Sequence, residues 1–147
     1  MIAELTADLI ALVRTVPALA AMTSLTIGGK AADPGLVKVP LPACWITFGK
    51  DVSDERSYEH GPESGLVIES PLMIGTWAVT VFVPYDDDDD LLTVQLPMLE
   101  SIVIAVHARE TPSGFNWRFA GQRMVQVYPD RLAYEQHYTA NYALARN

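Results

Sequence analysis

The stretch from Arg118 to Ala145 constrains the fold more than any other part of the chain. After Arg118 it runs FAGQRMVQVY, then Pro129-Asp130, then RLAYEQHYTANYALA. Two alternating segments around a tight turn signal form a β-ribbon. In the second segment Leu132, Tyr134, Tyr138, Ala140, Tyr142 and Leu144 share one parity, with Gln136 as the polar exception. Ala133, Glu135, His137, Thr139, Asn141 and Ala143 take the other face. Successive strand residues point to opposite sides of a sheet. The first set therefore suits a core or a subunit interface, and the second suits solvent or a ring lumen. Nothing in the ribbon is arranged like a catalytic centre, so the chain reads as a part to be assembled.

The rest of the chain supplies what such a ribbon packs against. Ile2, Leu5, Leu9, Leu12, Val13, Val16 and Leu19 recur at helical spacing, with Glu4 and Asp8 in the first turns and Pro17 as a kink or stop. Gly28-Gly29-Lys30 and Asp33-Pro34-Gly35 are turn signals, Leu41–Phe48 a short strand, and Lys50–Gly65 an exposed loop. Between Leu66 and Val83 the side chains of Trp77, Val79, Val81 and Val83 point one way and Ala78, Thr80 and Phe82 the other, which predicts a central strand stopped by Pro84. Leu92, Leu96, Leu99, Val103 and Val106 give a second helical face, with a start or kink at Pro97 and an end at Thr111-Pro112-Ser113-Gly114. This order predicts one domain over residues 1–147 of the α+β class. It is a mainly antiparallel β-sheet packed against two principal helices, with a C-terminal β-ribbon.

Composition narrows the function classes. The chain has 147 residues, half of them hydrophobic, which suits one core. Ten Lys and Arg against 18 Asp and Glu give a formal charge of -8, so electrostatic gripping of DNA, RNA or an anionic membrane is not expected. Cys44 is the single cysteine, which rules out an intrachain disulfide and a thiolate zinc site within one chain. The start MIAELTADLIALV lacks the basic region of a signal peptide, and no apolar run approaches the roughly 20 residues that span a bilayer. A soluble, reduced, cytoplasmically made protein is expected.

Chemistry-bearing residues are scattered. His60, His107 and His137 form no HExxH or i,i+4 pair, and Ser101 and Ser113 sit in no GxSxG elbow. Gly28-Gly29-Lys30 has only the end of a phosphate loop, without the earlier glycine or a following Ser or Thr. Cys44 beside Trp45 reads as a core thiol. Asp86, Asp87, Asp88, Asp89 and Asp90 form a run that must stay solvated, because unpaired buried charges are costly. It lacks the glycine and distal glutamate of a calcium loop. No cofactor and no metal are expected.

Arg118, Arg123, Arg131 and Arg146 make the tail locally basic, with only Asp130 and Glu135 among them. They fit either surface salt bridges within the sheet or an interface with acidic patches on a neighbouring copy. Candidate patches are Asp86–Asp90 and Glu55, Glu59 and Glu63. Opposed patches favour head-to-tail packing, which closes as a ring when the rotation allows. The candidate interface residues are thus Arg118, Arg123, Arg131, Tyr134, Tyr138 and the five aspartates. The loop and the acidic run are expected to become ordered in the ring.

Taken together, LVRTVPAL at the end of the first helix, LPACWITFG, the strand WAVTVFVP, the helix LPMLESIVIAVHA and the ribbon FAGQRMVQVYPDRLAYEQHYTANYALA resemble the tail terminator, or tail completion, proteins of long-tailed bacteriophages. The resemblance covers nearly the whole chain and lies in pattern and order, without an invariant motif. It implies a small α/β fold and a hexameric ring in the virion tail, assembled in the host cytoplasm. Such a ring caps the tail tube protein, ends tube polymerisation and offers a surface to the head connector or head-completion protein. DNA passes through its lumen without specific binding, and no catalytic residue is implied. The aspartate run and the segment Thr23–Pro40 depart from the pattern and leave open a tail adaptor or head-closure role. Two readings from other classes stand beside it. One is a small bacterial protein-binding or ligand-binding module without a ring. The other is a metal-dependent hydrolase using Asp86–Asp90 with His60 or His107.

Overall fold

Helix α1 spans Ile2–Arg14, with Glu4 in its first turn and Arg14 in its last, so both charges complement the helix dipole. In the computed structural model, which describes residues 1–20, 26–27, 43–53, 72–84, 91–127 and 131–144, Leu5, Leu9 and Val13 form its buried stripe. The helix ends before Pro17, which opens a 3-10 turn at Pro17–Leu19. Proline has no N–H to continue an α-helix and is suited to a first turn.

Five strands make one sheet: β1 (Thr26–Ile27), β2 (Ala43–Ser53), β3 (Leu72–Pro84), β4 (Arg118–Val127) and β5 (Arg131–Ala143). Their order is β1-β2-β3-β5-β4. β1 runs parallel to β2, and every other pair is antiparallel. β4 and β5 are the expected ribbon, with Val127 opposite Leu132. Both helices lie on one face of the sheet, giving the α+β arrangement that the sequence predicts.

β3 is central, and Trp77, Val79, Val81 and Val83 all point into the core as expected. Phe82, on the other face, is also buried and meets Trp45 edge-on at 5.3 Å, beside Ala43 and Ala133. β2 runs further than Leu41–Phe48. It bulges at Gly49 and continues to Ser53, so Lys50–Ser53 are strand and not the start of a loop. Residues 54–65 of the expected loop lie outside the described residues.

Helix α2 spans Leu96–Val106, with Pro97 in its first turn. A wider π-type turn, Leu91–Gln95, precedes it. In a continuous α-helix the Pro97 ring would collide with the carbonyl of Thr93, and the wider turn removes that clash. The same turn changes which side chains face the sheet. Leu91 packs on the core, while Leu92 is 64% and Leu96 38% exposed. The buried face is Gln95, Met98, Leu99, Ile102 and Val106, which corrects the face running through Leu92, Leu96 and Val103.

After α2 the chain reverses at Ala108, whose φ of 64° is left-handed. A bridge between Glu110 and Asn116 encloses the Thr111–Gly114 turn. This return delivers Trp117 into the core, stacked edge-on against Trp77 at 5.1 Å. The Trp117 Nε1–H donates to Asp8 Oδ2 at 2.8 Å, tying the return to α1.

Candidate subunit interface

β4 is the last strand of the sheet, and among the described residues it pairs with β5 alone. Two bulges, between Phe119 and Gly121 and between Met124 and Gln126, break its alternation. Met124 (52%), Val125 (37%) and Val127 (58%) are consequently all exposed. An edge strand carrying apolar side chains outward is a candidate surface for meeting another protein.

The strand is held in place from behind by Gln136, which explains the polar exception in β5. Gln136 is fully buried, yet every polar atom is used. Its Nε2 donates to the Leu99 carbonyl and to Gln122 Oε1, each at 3.0 Å. Its Oε1 accepts from the Tyr138 hydroxyl at 2.8 Å. One side chain therefore links α2, β4 and the β5 core. By contrast, the buried Gln95 side chain has no hydrogen-bond partner for either polar atom among the described residues.

Beside β4 lies a groove of about 370 Å³ lined by Leu92, Leu96, Pro97, Glu100 and Gln122. Val94 (49%), in the turn before α2, adds to the exposed apolar surface. Sequence periodicity assigns Leu92 and Leu96 to the core; the signal that they turn outward is Pro97, which demands the wider turn before it.

The arginines separate by exposure. Arg118 is exposed on β4, and Arg123 is 71% exposed with its guanidinium 3.7 Å from Glu135. That long contact is the salt-bridge reading of the basic tail, and at this exposure it contributes little stability. Arg131 is only 9% exposed and belongs to the fold as much as to the surface. Tyr138 is fully buried, its ring tilted against Phe119 at 5.7 Å, so it is a core residue and not a contact for a neighbour. Tyr134 is half-buried against the core, and burial raises its phenol above the ordinary range. Asp86–Asp90, Glu55, Glu59, Glu63, His60 and Arg146 lie outside the described residues.

The polar face of β5 carries Glu135 and His137, whose Oε1 and Nε2 contact each other. His107 Nδ1 accepts from the Phe119 N–H at 3.0 Å, so that nitrogen holds the start of β4. Burial pushes the Cys44 thiol up to about 12, which leaves it protonated and inert, as a core thiol should be. Among the described residues no three His, Cys, Asp or Glu side chains are grouped to hold a metal, and no helix is long and apolar enough to cross a membrane.

No family model matches the sequence, and no curated protein matches it. The fold itself has counterparts among solved structures. A chain in the virion of a native gene transfer agent (GTA) particle aligns with a TM-score of 0.60 and 11% identity, covering 97% of this chain and 96% of that one. At that identity the likeness is one of fold, and it extends end to end in both chains.

Proposed function

We propose that this chain is a structural virion protein that closes head-to-tail into a hexameric ring, caps the tail tube, ends tube polymerisation and presents the head-joining surface. The observation that carries the reading is the end-to-end likeness to a chain of a virion particle. The step from that likeness to a role is an analogy of fold, extended over both whole chains. The order of elements in the resemblance to tail terminators supports the finer role. The exposed apolar side chains and arginines of β4 supply a surface for it.

The work of such a ring is binding and steric termination. One face matches the last tube ring, and the other refuses a further tube subunit while accepting the head connector or head-completion protein. No bond is made or broken, and no cofactor is required. A chain with a net charge of -8 suits a lumen through which DNA slides without being gripped. Electron microscopy of purified tail tube protein polymerising with and without this chain tests the role. Short tubes with a distinct disc at one end are expected. Tubes of unchanged length with bare ends would contradict it. A module that recruits one partner would use the same edge strand but would stop at a pair of chains.

A further inference from the structure

We infer that the free side of β4 is the place where a second copy of this chain adds to the sheet, strand against strand. The inference rests on the ring reading and specifies which surface closes it. Among the described residues the sheet has an incompletely paired strand edge on each of its two sides. On one side β4 has β5 as its sole described neighbour. On the other, β1 reaches only Trp45 and Ile46 of β2, so Phe48–Val52 pair with β3 alone among the described residues. Val52 on that edge is 48% exposed. A sheet with an unpaired stretch at each side among the described residues can join its copies head-to-tail, β4 of one against the Asp51–Ser53 end of β2 in the next, past the Gly49 bulge and Lys50.

Proteins that keep an edge strand solitary blunt it with lysine, proline or strong bulges. β4 reads RFAGQRMVQV and contains neither lysine nor proline. Its two bulges leave Gly121–Met124 regularly paired with β5 between them, so the backbone there can accept a further strand. The side chains around that stretch are apolar and outward: Met124, Val125 and Val127. Charge selects the occupant. The cations on β4 are Arg118 and Arg123, both exposed, on a chain with 18 acidic against 10 basic residues. Another copy of this acidic chain complements them, whereas a basic partner would be repelled.

The test is solution mass against concentration for the wild type, Met124→Lys, Val127→Lys and, as a control, Ile104→Lys on the outer side of α2. Circular dichroism checks that each variant is folded; all three sites are exposed, so folding should be unaffected. Lysine at the edge should weaken self-association at least tenfold, with Ile104→Lys matching the wild type. Edge variants that assemble like the wild type would overturn the edge assignment and leave the ring reading standing. So would a loss of assembly confined to Ile104→Lys. A wild-type chain that stays monomeric at every concentration, with and without tail tubes, would overturn both.

Discussion

The indole Nε1–H of Trp77 donates to Thr6 Oγ1 at 2.9 Å, joining the central strand to the first helix across 71 positions of sequence. Thr6 in turn donates to the Ile2 carbonyl at 2.8 Å, so its hydroxyl is committed on both sides. Replacing it with valine keeps the shape and leaves the fully buried Trp77 N–H without an acceptor. The expected loss is about 1–3 kcal/mol in urea unfolding, with Thr6→Ser losing less. Equal stability of the valine variant and the wild type would mean that the indole finds another partner.

Gly75 is required by the same tryptophan. A Cβ at this position would lie 2.5 Å from two ring carbons of Trp77 and 3.2 Å from Tyr142 Cε1. The ring therefore lies over the backbone where a side chain would stand. Gly75→Ala should destabilise by about 1–3 kcal/mol or more, since the core must move to admit it. Gly114→Ala meets no neighbouring atom and suffers only from its φ of +85°. Its cost should be about 1 kcal/mol. Thermal denaturation of the two variants side by side checks the order.

Two buried glutamines should respond in opposite directions. Gln95 has no partner for either polar atom among the described residues, so Gln95→Met removes a desolvation cost and should stabilise by about 1 kcal/mol. Gln136 is fully bonded, and Gln136→Met would strand the Tyr138 hydroxyl in the core, costing about 1–3 kcal/mol. A Gln95 variant less stable than the wild type would show that its amide is used after all.

How far the sequence reveals the fold depends on which signal each element carries. Trp77, Val79, Val81 and Val83 are legible because strict alternation survives in a central strand paired on both sides. The tyrosines of β5 are legible for the same reason, and Gln136 marks itself as a structural polar residue by standing among them. The second helix is legible in existence but not in face. Leu92 and Leu96 fit the spacing of Leu99, yet the turn forced by Pro97 shifts their angle and turns them outward. Trp117 gave no periodic signal, since it enters the core from an irregular return after Ala108. Arg118 and Arg123 are legible as exposed residues of the ribbon. Parity cannot tell a core face from an interface face, and the full burial of Tyr138 beside Phe119 is what assigns it to the core.

Alkaline pH should weaken the fold through protons that the core retains. Burial raises the Cys44 thiol from 9.0 to about 12. It also raises the Tyr138 and Tyr142 phenols from 10.0, with Asp51 adding to the effect at Tyr142. Below these starting values both folded and unfolded chains hold the protons, and pH has no effect through them. Above 9.0 for the thiol and 10.0 for the phenols, the unfolded chain releases protons that the folded chain keeps. Stability then falls by as much as about 1.4 kcal/mol per pH unit per group until the folded form also ionises. Urea midpoints measured from about pH 8 to about pH 11 should decline, and Cys44→Ala should decline less steeply. Parallel slopes would show that the thiol is not held in its protonated form.

Closure is what separates a ring component from every rival, and light scattering after size exclusion reads it directly. The chain should appear over a range of concentrations, alone or templated by tail tubes, as a discrete species of six times its 16.1 kDa mass. A chain that remains monomeric or dimeric under all of these conditions, tubes included, would contradict a ring that caps the tail.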